Sequence, residues 1–168
     1  MRKEISILGL GSMGTAMALN LKKKYKIFGY DINKYNKIKF SKNFIVVESL
    51  KEIFLKTNIF IIIVLNENQC QKIFDTFIEI KKKLKINKNH TIINCTTVSP
   101  NWVKKIYTKL KKNNFKYIDC PVSGGPKKAI NGKLSLMLSA KKNIYKKNLA
   151  LLKDIGNNIY NLGDKIGT

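Results

Sequence analysis

Three places in the 168-residue chain carry residue types at a spacing that can do chemistry. The first is Gly9-Leu10-Gly11-Ser12-Met13-Gly14, a G-x-G-x-x-G set between the apolar run Ile5-Ser6-Ile7-Leu8 and a segment of helical period. In that setting the first glycine permits a tight turn, the second lets the backbone approach a pyrophosphate, and the third lets helix and strand pack closely. The free N–H groups that open the helix then face the phosphates. The second is Asp31, 22 residues after Gly9, near the offset of about 20 at which a carboxylate meets the adenosine ribose hydroxyls of a dinucleotide. A 2′-phosphate would be repelled there, which favours NAD over NADP, with Lys34 softening the preference. The third is Ser123-Gly124-Gly125, where a hydroxyl and two adjacent glycines offer unshielded N–H groups, a nest suited to a carboxylate. Plainer readings stand beside two of these: a strand-end turn residue for Asp31, and a Pro-bounded turn for Pro121 to Pro126.

The elements that must position these residues alternate along the chain. Short apolar or β-branched runs predict strands at Ile5 to Gly9, Lys26 to Tyr30, Phe44 to Val46, Ile59 to Val64, Thr91 to Asn94 and Tyr117 to Asp119. The clearest helices between them are Met13 to Lys24, Asn68 to Leu84 and Pro100 to Lys112, the last with Ser99 as N-cap and Pro100 at the first helical position. Strand and helix in turn imply βαβ units. The apolar central runs imply burial on both faces. The fold class is therefore α/β: a Rossmann-type, doubly wound, mostly parallel sheet with helices on both faces. Nothing suggests a second domain within the chain.

Composition narrows the function classes. The chain carries 33 Lys and Arg against 10 Asp and Glu, a formal charge of +23, and Arg2 is the single arginine. Phosphate and base recognition favours arginine, whose planar fork binds bidentately. Lysines here populate every polar segment, including Lys22 to Lys24, Lys81 to Lys83 and Lys146 to Lys147, and not one stripe. That excludes specific nucleic-acid recognition and leaves weak, salt-sensitive contact with polyanions. Cys70, Cys95 and Cys120 form no C-x-x-C pair, which points away from a metal site and toward a reducing compartment such as the cytoplasm. The longest apolar run, Ile59 to Leu65, falls far short of the roughly 20 residues that cross a bilayer, so no membrane role is expected.

Two segments give the chain a resemblance to a known family. Gly9 to Asn20, with Met13, Gly14, Met17, Ala18 and Asn20-Leu21, and Asp119-Cys120-Pro121-Val122-Ser123-Gly124-Gly125-Pro126, followed by Ala129, Gly132, Leu134 and Met137, resemble the two signatures of the NAD-dependent 3-hydroxyisobutyrate dehydrogenases. The likeness runs from Ile5 to Thr168. It implies an oxidoreductase that oxidises a small 3-hydroxy acid to its semialdehyde, with NAD bound by Gly9, Leu10, Gly11, Ser12, Met13, Gly14, Asp31, Leu65 and Thr97. It also implies that Ser123, Gly124 and Gly125 hold the substrate acid. Departures from the pattern lie at Asn66, where the family usually has Pro, at Cys70, near a frequent Asn, and at Asn94, in place of a frequent Asp. The register puts the family's catalytic Lys beyond Thr168. Residues 1–163 are thus expected to form the NAD(P)-binding domain and residues 164–168 to start an interdomain turn, so that this chain alone supplies the cofactor-binding half and has little activity. A separately made C-terminal helical half, or a homo-oligomer, is the expected partner.

Several alternatives remain at this point. The chain also reads as a truncated, non-catalytic dinucleotide-binding module or as a basic polyanion-binding domain. Tyr107 and Lys111 make a short-chain-dehydrogenase-like Tyr-x-x-x-Lys, but Tyr30 with Lys34 and Tyr35 with Lys39 match it equally. The single histidine, His90, reads as part of the polar Asn87-Lys88-Asn89 loop, which disfavours a His-dependent mechanism. The identity of the acid stays open among hydroxyisobutyrate, tartronate semialdehyde and related compounds, and a 6-phosphogluconate dehydrogenase fits the Pro121 to Met137 segment less well.

Overall fold

A computed structural model describes the backbone of residues 1–168 and every side chain except those of Lys37 and Phe40. The chain runs β1 (Glu4–Leu8), α1 (Ser12–Leu21), β2 (Lys26–Tyr30), α2 (Lys34–Phe40), β3 (Ile45–Val46), α3 (Leu50–Lys56), β4 (Ile59–Ile62), α4 (Glu67–Lys83), β5 (His90–Asn94), α5 (Pro100–Lys112) and β6 (Phe115–Asp119). It continues with β7 (Val122–Ser123), α6 (Gly125–Ala129), β8 (Ser135–Leu138), α7 (Lys142–Ile155) and β9 (Asn158–Asn161). Strands β1 to β6 form one parallel sheet in the order β3-β2-β1-β4-β5-β6, the order of a doubly wound dinucleotide fold.

Side chains on a strand alternate between faces, and two cores follow from that alternation. Ile5, Ile7, Ile27, Ile61, Ile93 and Ile118 point into a cluster with α1, α6 and α7. Their neighbours Leu8, Phe28, Phe60, Ile62, Ile92 and Tyr117 point into a second cluster with α3, α4 and α5. Buried Ser6 lies on the second face; its hydroxyl donates to Thr57 Oγ1 at 2.7 Å, and that hydroxyl in turn donates to the Ile59 carbonyl.

The smaller sheet was not anticipated. β7 pairs antiparallel with β8, β8 pairs parallel with β9, and Asp119 and Ser139 exchange backbone hydrogen bonds of 3.1 and 2.9 Å that join this sheet to the β6 edge. Helix α1 also ends earlier than expected. Lys22 is its C-cap, and Lys23 and Lys24 turn back on Asn20 and Leu21, because the chain must reverse to enter β2 at Lys26. Tyr25 fixes that turn by donating to Asp154 Oδ2 at 2.7 Å, and Lys24 pairs with the other oxygen.

His90 corrects another expectation. It is the first residue of β5, 2% exposed, with its ring stacked on Phe54 at 4.4 Å and its Nδ1 without a partner. Burial, reinforced by Lys81 and Lys88, pushes its pKa down to about 4. Lys81 is likewise no surface residue: its ammonium caps the carbonyls of Lys88 and Asn114, both at 3.0 Å, and lies over the Phe115 ring. Among the described residues no helix is long and apolar enough to cross a membrane, and no group of three or more His, Cys, Asp or Glu is placed to hold a metal ion.

Candidate functional site

The carboxyl ends of β1, β2, β4 and β5 bring the expected cofactor residues to one edge of the sheet. β1 is flanked by β2 and β4, so the chain's direction of winding reverses beside it, the place where open α/β sheets bind ligands. The three glycines of the turn do different physical jobs. Gly9 has φ +100°, and a Cβ there would lie 2.0 Å from the Ile63 carbonyl oxygen. A Cβ on Gly14 would lie 1.8 Å from the Gly9 carbonyl oxygen. At Gly11 a Cβ would meet nothing within 4 Å. The protein's own packing thus accounts for Gly9 and Gly14, while Gly11 faces open space.

Gly11 is also the N-cap of α1, with no side-chain cap and no acidic residue in the first turn. Thr15 N–H is the first to bond within the helix, to Gly11 O at 2.9 Å. The amides of Ser12, Met13 and Gly14 therefore stand at an uncapped, electropositive helix end. Leu10, fully buried, sends its N–H the other way, to Asp31 Oδ2 at 2.6 Å.

Asp31 is 9% exposed and accepts three hydrogen bonds: Leu10 N and Asn36 Nδ2 on Oδ2, at 2.6 and 3.3 Å, and Asn33 N on Oδ1 at 2.7 Å. An ionised carboxylate offers about four acceptor sites. One on Oδ1 is left. The carboxylate is thus a turn residue that keeps one acceptor position open on Oδ1.

Leu65 and Thr97 follow β4 and β5, and both are exposed, Leu65 at 85%. The neighbouring Thr96 is buried and spends its hydroxyl on Val64 N–H at 3.0 Å, which leaves Thr97 as the residue facing outward. The departures from the resembled pattern have local explanations. Asn66 N-caps α4 by accepting from Gln69 N at 3.1 Å. Asn94 is fully buried; its amide donates to Tyr117 Oη at 3.0 Å and its oxygen accepts from Thr96 N and the Cys70 thiol. Burial pushes that thiol up to about 11, so Cys70 is inert packing. Sequence reading missed Gln69 and Glu67, which hold these loops. The Asn66-x-x-Gln69 capping pattern was the available signal.

Ser123, Gly124 and Gly125 leave the β6 end through the second sheet. Ser123 pairs with Ser135, and Gly124 and Gly125 have φ of +132° and +72°, values that side chains resist. Ser123 and Gly124 are exposed. A Cβ on Gly125 would meet nothing within 4 Å. Two other residues of the resembled signatures, Asn20 and Gly132, lie far from this edge and are structural: Asn20 Nδ2 donates to Asp154 O at 2.8 Å, and Gly132 packs directly on the Asn20 side chain.

Beside the site, at the ends of β6, β8 and β9, a cavity of about 500 Å³ is lined by Asp119, Pro121, Met137, Ser139, Tyr160, Leu162 and Thr168. Burial raises the Asp119 carboxyl to about 6 although it accepts the Gly167 N–H. Ile166 is buried against the second core and ties residues 164–168 back onto the fold.

Comparison with known proteins finds relatives along nearly the whole chain. A 3-hydroxyisobutyrate dehydrogenase of Drosophila melanogaster is 30% identical over 162 residues, which are 96% of this chain and 49% of the relative. An uncharacterized oxidoreductase of Synechocystis is 30% identical over 164 residues, 95% of this chain and 56% of the relative. The solved structure of Mycobacterium tuberculosis 3-hydroxyisobutyrate dehydrogenase superimposes with a TM-score of 0.89 at 20% identity, covering 99% of this chain and 56% of that one, a likeness of fold. The chain spans about half the length of the curated relatives it matches. Residues 4–163 match the NAD binding domain of 6-phosphogluconate dehydrogenase, and the chain belongs to that family.

Proposed function

We propose that residues 1–163 form the cofactor-binding half of an NAD-dependent oxidoreductase of the 3-hydroxyisobutyrate dehydrogenase type, with a small 3-hydroxy acid as substrate. The observation that carries the reading is the open space at Gly11 in front of three helix-end amides, with Asp31 fixed 2.6 Å from the amide between Gly9 and Gly11. In this reading Gly9 to Gly14 cradle the pyrophosphate, Asp31 Oδ1 accepts from the adenosine ribose, and Leu65 and Thr97 border the nicotinamide. The bound cofactor supplies the hydride acceptor. Ser123 orients the substrate carboxylate through its hydroxyl, and Gly124 and Gly125 through amides held at positive φ.

In this reading residues 164–168 begin the connection to the lysine that the resemblance places beyond Thr168. The ordering of Asp31 by two backbone amides favours NAD over NADP, because a 2′-phosphate would meet a fixed negative charge. Calorimetric titration of the chain with NADH and NADPH, repeated on Asp31→Ala, tests the reading. Tighter binding of NADH, with the preference lost in the variant, is expected; saturable binding of neither dinucleotide would end it.

A further inference from the structure

β4 and β5 are neighbours in register, Ile62 opposite Asn94, so the loops after them leave the sheet side by side. Two hydrogen bonds join these loops. Val64 N–H reaches Thr96 Oγ1 at 3.0 Å, and Ser99 N–H reaches Glu67 Oε1 at 2.7 Å. Glu67 is the first residue of α4, while Ser99 is the N-cap of α5 and accepts from Trp102 N at 3.4 Å. One carboxylate therefore stands at the positive ends of two helices at once, a favourable place for negative charge. The Ser99 hydroxyl and amide hold the Glu67 carboxyl below the usual carboxylate range.

Inside the first loop, Leu65 N–H is taken by Gln69 Oε1 at 2.9 Å. The result is a loop in which the Val64 and Leu65 amides are satisfied and the leucine side chain is held out into solvent at 85% exposure. A doubly wound sheet binds one nucleotide on each of its halves. The glycine turn and Asp31 belong to the β1–β2 half; Leu65, Glu67, Thr97 and Ser99 belong to the β4–β5 half.

We infer that Glu67 is a positioning residue, which grips Ser99 from α4, sets the gap between Leu65 and Thr97, and thereby governs binding of the nicotinamide half of the cofactor while leaving the adenosine half alone. This rests on the dinucleotide reading above. It separates Glu67 from a residue that merely stabilises the fold, because a general loosening would weaken both halves together.

The test compares NADH with ADP-ribose, which lacks only the nicotinamide base, on the full chain and on Glu67→Ala and Glu67→Gln. In Glu67→Ala, NADH affinity is expected to fall about threefold to tenfold, the range for one lost hydrogen bond of ordinary net strength, with ADP-ribose affinity unchanged. Glu67→Gln retains an acceptor oxygen and is expected to keep most of the NADH affinity. Equal weakening of both ligands, or no change in either, would overturn the role of Glu67. Failure of the unsubstituted chain to bind either ligand would instead overturn the dinucleotide reading on which it rests.

Discussion

Replacing Gly11 and Gly14 one at a time by alanine separates what the fold requires from what a ligand requires. At Gly14 the new Cβ would sit 1.8 Å from the Gly9 carbonyl oxygen, whereas carbon and oxygen ordinarily approach to roughly 3.3 Å. Helix α1 must recede by more than an ångström, and an overpacking of that kind costs about 3 kcal/mol. For a domain of this size that corresponds to a fall in Tm of about 6 to 12 °C. At Gly11 the backbone lies at φ −68° and ψ −172°, which alanine adopts freely, and the space is open. Reduced freedom of the unfolded chain stabilises Gly11→Ala by about 0.4 to 1 kcal/mol. Alanine's poor fit at an N-cap removes a similar amount. Its Tm should therefore stay within about 2 °C of the parent. The methyl group nonetheless projects into the approach to the helix-end amides, so NADH affinity should fall at least about tenfold. Thermal unfolding followed by circular dichroism and NADH fluorescence titration read the two effects. A Gly11→Ala chain that keeps its NADH affinity, or melts as early as Gly14→Ala, would refute the division of roles.

Two buried groups give the pH dependence opposite signs. His90 titrates near 4 folded against 6.5 unfolded, so its contribution is complete above pH 6.5 and about 3 kcal/mol is lost as pH falls toward 4; Asp119 titrates near 6 against 3.8, so its contribution is complete below pH 3.8 and about 3 kcal/mol is lost as pH rises toward 6. Urea unfolding between pH 4 and 6.5 should therefore show the two slopes largely cancelling in the parent, with Asp119→Asn losing stability in acid and His90→Phe gaining it; two variants with the same slope would contradict the assignment. Asn66→Ala removes the N-cap of α4 and should lower stability by about 1 kcal/mol, measurable as a shift in urea midpoint without a change in slope.

What was legible in the sequence follows from how strongly each residue type limits its backbone. Helix α5 begins and ends where expected because Ser99 accepts from Trp102 N and Pro100 follows it, a start signal with one physical meaning. The glycine turn was legible for the same reason. The second sheet was not: β7 has two residues, β9 is mostly exposed, and β8 alternates burial over only four positions, too short for a period to stand out. His90 was hidden by the polar Asn87 to Asn89 beside it, although the following Thr91 to Asn94 strand needed only one more residue. Lys81 was hidden by composition, since one lysine in a lysine-rich chain draws no notice. Its spacing gave it away: Cys70, Phe74, Phe77 and Lys81 fall on one face of α4, the face that is buried.

The joining of the small sheet to β6 through Asp119 and Ser139 bears on how this chain behaves in crowded solution. An edge strand with free amides and carbonyls is a template for adding another molecule's strand. Here the β6 edge is bridged at its last residue, Asp119, and the opposite edge, β3, is two residues long. The outer side of β9, bearing exposed Tyr160 and Leu162 beside it, is one such edge, where a second molecule can dock strand to strand. At a charge of +23 two such molecules repel one another strongly at low ionic strength. That repulsion reaches about 10 Å at 0.1 M salt and shortens as salt is added. The lysine excess that carries no recognition information thus has a colloidal effect, keeping one open β edge from its neighbour.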